Sequence, residues 1–174
     1  MIWCGVDPGV TGGIAFIDTT PDPEEYHYEQ IFTHDLPKGD EYLDCNKLAD
    51  LVRDHLPDHA VIEAAASRPA QGVKSTFTFG VSFGQIIGVL HALKVKTTLV
   101  RPQTWKRDMG LDGANKQLSK SKQTTMLKHR SLEVASDLFP KHAWQWSRVK
   151  DNHRAEALLI AHWGRKLHVH RAAQ

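Results

Sequence analysis

Seventeen residues near the start of the chain, Ile2 to Asp18 (IWCGVDPGVTGGIAFID), constrain its fold more than any other stretch. An apolar run ends in Asp7, a turn rich in glycine follows (Pro8, Gly9, Thr11, Gly12, Gly13), and a second apolar run begins at once. That pattern predicts a strand, a tight reversal and an antiparallel strand. A carboxylate inside an apolar strand is costly, whereas one at the strand's end can meet water, a metal or a phosphate. The glycines supply positive φ and let backbone approach a bound group closely. The plain alternative is a hairpin with an ordinary turn aspartate, and this stretch alone leaves both open.

The rest of the chain shows whether Asp7 has company. Ala60 to Glu63 (AVIE) is another short apolar run ending in an acid, and ligands of α/β sheets bind at the carboxyl ends of strands. Between the two acids, Tyr26 to Phe32 can form a third strand, with a loop from His34 to Leu43. Asp44 caps an expected helix from Cys45 to Leu56 that turns Leu48, Leu51, Val52 and Leu56 inward and ends at Pro57. After a small, flexible segment from Ala64 to Lys74, a helix is expected from Ser75 to Leu93. It carries Gly80, Gly84 and Gly88 on one face, where close packing on the sheet is the first explanation and a subunit interface the second. Thr97 to Val100 reads as a strand, Pro102 opens a short helix carrying Lys106, and a long helix runs from Ser119 to Leu138. The last helix spans Asp151 to Leu167, with Ala157, Ile160, Ala161 and Gly164 turned inward.

That last helix opens DNHRAE. At about 100° per residue, His153 and Glu156 share one face, whereas Asp151 and Glu156 lie about 140° apart and cannot point into one site. Asp7, Glu63, His153 and Glu156 form a set of hard and borderline ligands that suits Mg²⁺, with Mn²⁺ as a substitute. Two such ions can hold the attacking and leaving oxygens of a phosphodiester in line.

Charge supplies the complement. The net +2 conceals −11 over residues 1–66 and +13 over residues 67–174. Lys94 to Arg130 holds ten Lys or Arg against Asp108 and Asp112, interleaved with Trp105 and polar donors. Such a run suits a surface that meets phosphates, the bland alternative being a solvated face. The candidate DNA contacts are Arg68, Lys74, Lys106, Arg107, Lys116, Lys120, Lys122, Lys128 and Arg130. The 174 residues are expected to form a single domain. No apolar run is expected to reach the roughly 20 residues of a membrane span. The strand beginning at Ile2 leaves no room for a targeting peptide, and Cys4 and Cys45 read as reduced thiols, so a cytoplasmic setting is expected.

The order β-β-β-α-β-α-β-α-α with acids at strand ends predicts an α/β fold, a ribonuclease H-like mixed five-stranded sheet flanked by helices. Six stretches resemble the RuvC family of Holliday-junction resolvases, particularly its phage-borne branch. They are GVDPGVTGGIAFID at 5–18, VIEAAASRP at 61–69, FGVSFGQIIGVL at 79–90, LVRPQTWKRDMGL at 99–111, SLEVASDLFP at 131–140 and DNHRAEALLIAHWG at 151–164. The resemblance implies an endodeoxyribonuclease that is a homodimer, needs two Mg²⁺ ions per site and acts on four-way DNA junctions, with no nucleotide cofactor. Asp7, Glu63 and Glu156 then occupy acidic ligand positions, and His153 a position that is aspartate or histidine in the family. Lys106 falls on a basic position near the scissile phosphate, with Lys120 or Lys122 as a second. Glu156 replaces a shorter aspartate found in many members, and Ala64 to Lys74 lacks the aromatic wedge that several members use.

Three other functions compete. A related nuclease could cut flaps or other branched DNA. A binding module of this fold would have lost its acids, and all of them are present. Asp7, Gly9, Thr11 and Gly13 also match the first phosphate loop of actin-like ATPases, but those need two lobes and this chain carries one copy.

Overall fold

In a computed structural model of the chain, which describes residues 1–9, 11–20, 29–64, 72–113 and 119–172, five strands form one mixed sheet in the order β3-β2-β1-β4-β5. The strands are β1 (Ile2–Asp7), β2 (Gly13–Asp18), β3 (Gln30–Asp35), β4 (His59–Glu63) and β5 (Lys96–Val100). The helices are α1 (Cys45–His55), α2 (Val73–Ala92), α3 (Pro102–Asp108), α4 (Lys120–Leu138) and α5 (Asn152–Ala172), with 3-10 turns at Pro140–Trp146 and Val149–Asp151. This is the expected α/β arrangement. The β1–β2 and β2–β3 pairs are antiparallel and the β1–β4 and β4–β5 pairs parallel. Asp7 is therefore level with Gly13 and Asp35, and Glu63 with Val100, along one edge of the sheet.

Each face of the sheet has its own core. One is built from Ala15, Ile17, Val61 and the inward face of α5, including Ala157, Leu158 and Ala161. The other joins Val6, Ile14, Phe16 and Ile62 to Leu48 and Val52 of α1 and to Ile86 and Leu90 of α2. The approach of α5 depends on missing side chains. A Cβ on Gly5 would strike the Ala157 carbonyl, one on Gly13 the His153 carbonyl, and one on Gly164 the Val61 side chain. These three glycines let the helix that carries His153 and Glu156 lie directly on the strands. Gly12 plays a similar part inside the turn, where a Cβ would meet the Asp7 carbonyl. Gly12 and Gly13 are thus required by packing, and Gly9, at φ 145°, supplies the positive φ expected of the turn.

Several boundaries differ from the sequence expectations. The third strand is Gln30–Asp35, so Glu29 does not belong to it and His34 and Asp35 do, while the expected start at Tyr26 falls outside the described residues. Residues 21–28 lie outside the described part. Leu56 is exposed, not inward: it adopts φ 46° and closes α1 with its backbone N–H on Val52, one residue before Pro57. Asp44 does cap α1, accepting from Asn46 and Lys47 N–H. Asp151 belongs to the 3-10 turn before α5, where Arg148 holds its carboxylate at 2.8 and 2.9 Å, away from the site. The α2 glycines do not pack on the sheet. A Cβ on Gly80, Gly84 or Gly88 would meet nothing within 4 Å, because Ser82, Ile86 and Leu90 are the residues that α2 turns inward. The expectation that no segment reaches membrane-span length also fails. By length and composition α2, at 20 residues, could cross a membrane, although Ile86 and Leu90 hold it in the second core.

Candidate active site

Parallel pairing of β1 and β4 sets Val6 against Ile62, so the next residues, Asp7 and Glu63, end neighbouring strands side by side. α5 crosses above them and lowers His153 and Glu156 from its first turns. From the next strand, α3 brings Lys106 across, and Pro102 at its start fixes where that helix begins. His153 Nδ1 lies 3.1 Å from Asp7 Oδ2. Lys106 Nζ donates to Glu156 Oε2 at 3.0 Å, and Ser131 Oγ of α4 is 3.1 Å from Glu156 Oε1. Trp105 Nε1 donates to Glu63 Oε2 at 2.7 Å.

The electrostatics follow from crowding acids at a half-buried edge. Burial, with help from Asp7 and Glu156 against the pull of Lys106 and Trp105, pushes the Glu63 carboxyl up to about 7. Asp7 is likewise raised, by burial first and then by Glu156, despite its bond to His153. Burial works against the charged form of Lys106, but Glu156, Glu63 and Asp7 outweigh it and hold its ammonium above the ordinary lysine value. Two carboxyls held above their usual range mark a site with surplus negative charge, which a cation would relieve. Among the described residues, no group of three or more His, Cys, Asp or Glu is drawn together tightly enough to hold a metal. Instead, oxygens of Glu63 and Glu156 accept from Trp105, Lys106 and Ser131. The donor set still fits Mg²⁺ or Mn²⁺: three carboxylates and one imidazole at one sheet edge, with Lys106 as the resident cation.

No protein-family model matches the chain, and no curated protein matches it in sequence. Solved structures do. RuvC of Thermus thermophilus superposes with a TM-score of 0.62 at 12% identity, covering 96% of each chain. The T. thermophilus RuvC in complex with a Holliday junction substrate gives 0.62 at 14%, covering 94% of this chain and 91% of that one. The yeast mitochondrial Holliday junction resolvase Ydc2 gives 0.55 at 12%, covering 97% and 82%. The fold is RuvC-like. At these identities the likeness is one of architecture, and it extends over nearly the whole chain.

Within this RuvC-like fold the five expected catalytic residues, Asp7, Glu63, His153, Glu156 and Lys106, fall together. The expected DNA contacts do not. Lys74 sits in the first turn of α2 and lines a cavity with Pro8, Gly9, Thr11 and Phe79, beside the turn that follows Asp7. Arg107 is paired with its neighbour Asp108. Lys122 and Arg130 are exposed on α4, and Lys128 faces a cavity beside His153. Arg68, Lys116 and the Lys120 side chain lie outside the described part. The basic run is also not one surface, since Lys96 opens β5 at the end of the sheet opposite the acids. Of the aromatic residues that follow the loop after Glu63, Phe77 is exposed and Phe79 faces Gly9.

Sequence reasoning missed Trp105 and Ser131 as partners of the acids. Trp105 was legible only as one more aromatic in a basic run, and it is fully buried with its indole N–H on Glu63. Ser131 gave no signal, because its role depends on how α4 lies against α5.

Proposed function

We propose that this protein is a structure-selective endodeoxyribonuclease that resolves four-way DNA junctions, hydrolysing a phosphodiester in each of two opposed strands. The observation that carries this reading is the convergence of Asp7, Glu63 and Glu156 with Lys106 at one edge of a RuvC-like sheet. Its support in substrate class is that one structural neighbour was solved with a Holliday junction substrate.

Asp7, Glu63, Glu156 and His153 would hold the two Mg²⁺ ions. Bound there, divalent ions supply an ionised water and charge stabilisation at the leaving oxygen. The chain's own residues do the rest. His153 and Asp7 hold each other's orientation through their 3.1 Å contact. Trp105 and Ser131 fix one oxygen each of Glu63 and Glu156, which limits the rotamers of both acids. The Lys106 ammonium, adjacent to Glu156, is placed to neutralise charge that develops on the phosphate.

Paired cutting of a near-symmetric junction calls for two sites, so the protein acts as a homodimer with isologous contacts. The α2 face carrying Gly80, Gly84 and Gly88 is open and is the contact that favours it. The test is incubation with a synthetic four-way junction, a flap and a plain duplex in Mg²⁺, reading nicks on every strand. Paired symmetric nicks in the junction, lost in Asp7→Asn, are expected. Flap cutting alone makes the protein a different branched-DNA nuclease, and no cutting of any substrate refutes nuclease activity.

A further inference from the structure

A cavity of about 320 Å³ opens beside His153, toward the β3 side of the sheet edge and away from Glu63. Separate parts of the chain bring three lysines to it: Lys38 from beyond β3, Lys128 from α4, and Lys150 from the turn before α5. Among the described residues, none of the three pairs with an acid. The one acid in the wall, Asp35, is already matched, both its oxygens accepting from Arg154 at 2.8 and 2.9 Å. The cavity therefore carries uncompensated positive charge.

A second observation points to a ligand. Asn152, the first residue of α5, is only 4% exposed, lines the cavity, and leaves its buried Oδ1 without a hydrogen-bond partner. A buried side-chain amide almost always finds partners within the protein or its ligands. The N-terminal end of a 21-residue helix adds a favourable field for an anion.

We propose that this cavity binds one backbone phosphate of the nucleic acid, next along the strand from the phosphate held over Asp7 and His153. That identity rests on the nuclease reading above. Three lysines without acidic partners around one space suit a group with several acceptor oxygens, and the wall shared with His153 makes the cavity continuous with the reacting position. The strand would then be gripped on both sides of the cut, by Lys106 on the β4 side and by Lys38, Lys128 and Lys150 on the β3 side. Lys38 and Lys150 lie outside the basic run from Lys94 to Arg130, which is why charge clustering in the sequence does not reveal them.

Two measurements test this. In the first, inorganic phosphate is titrated into ¹⁵N-labelled, metal-free protein at constant ionic strength. Saturable shifts are expected in the Asn152 side-chain amide and the backbone amides of 150–154. The double variant Lys38→Ala/Lys150→Ala should weaken that binding about tenfold. Lys94→Ala/Lys96→Ala removes the same charge at the far end of the sheet and should change it less than twofold. Unmoved Asn152 signals, or equal weakening in both variants, overturn the proposal. In the second, junction affinity is followed against salt in an Asp7→Asn background. The Lys38/Lys150 variant should flatten the slope by about one unit, for one phosphate lost, and the control should not. An unchanged slope overturns the assignment to a DNA phosphate. A protein that binds phosphate here but cuts no DNA refutes the nuclease reading alone, and one that cuts junctions without binding phosphate here refutes the cavity alone.

Discussion

Replacing Glu63 by glutamine should make the metal-free protein more stable at alkaline pH while abolishing its activity. Burial raises this carboxyl from 4.5 to about 7 in the folded chain. Below about pH 4.5 the group is protonated whether the chain is folded or not, and it costs nothing. As the pH rises the unfolded chain ionises first, and above about pH 7 the folded state bears the whole burden of a buried charge. A difference of about 2.5 units corresponds to roughly 3 kcal/mol of stability forfeited at pH 8. Glutamine keeps an oxygen for the Trp105 indole N–H and removes the charge, so it should recover about 2–3 kcal/mol there. For a domain of this size that is an increase of roughly 5–10 °C in Tm. The assay is urea or thermal unfolding of both proteins in EDTA at pH 5 and pH 8. The expected advantage of Glu63→Gln is small at pH 5 and large at pH 8. Mg²⁺ should then stabilise the wild type at pH 8 and the variant much less. An advantage that does not grow with pH, or a variant less stable at pH 8, would refute the idea that Glu63 is held in the fold at a cost for the sake of its charge.

Other perturbations probe the rest of the site. Lys106→Ala should lower the cleavage rate by about 10²-fold or more while junction affinity falls far less, because a cation beside developing charge acts mainly in the transition state; equal losses in a binding and single-turnover assay would make it a simple phosphate clamp. Ser131→Ala frees one oxygen of Glu156 and should weaken Mg²⁺ affinity 10–100-fold, measured by calorimetry, with a stability change of only about 1 kcal/mol. Gly13→Ala drives a methyl group into the His153 carbonyl and should destabilise the fold by about 2–4 kcal/mol in urea unfolding, while Gly84→Ala, which meets nothing, should raise helix stability by about 0.5–1 kcal/mol. Gly84→Arg should leave the fold intact and convert a dimer to monomer in sedimentation; a dimer that survives it places the interface elsewhere.

Much of this protein was legible along the chain because the relevant physics is local. Alternating and continuous apolar runs marked the strands, Asp44 and Pro102 marked two helix starts, and acids at the ends of two apolar runs marked where chemistry could sit. The 3.6-residue period put His153 and Glu156 on one face of α5 and excluded Asp151, which Arg148 indeed holds elsewhere. What the sequence could not decide is which surfaces meet. The glycines illustrate this: Gly5, Gly13 and Gly164 are required by the contact of α5 with the sheet, whereas the regular stripe on α2, the more conspicuous pattern, faces open space. The same limit hid Trp105 and Ser131, whose bonds to Glu63 and Glu156 join residues 42 and 25 positions apart. It also split the basic run, leaving Lys96 at the far end of β5 while drawing Lys38 and Lys150 to the cavity beside His153. Periodicity fixes the face a residue occupies on its own element, but the register of parallel strands and the seating of helices on them are set by long-range packing. That packing brings Asp7, Glu63, Lys106 and Glu156 to one place and raises two of the carboxyls toward neutrality.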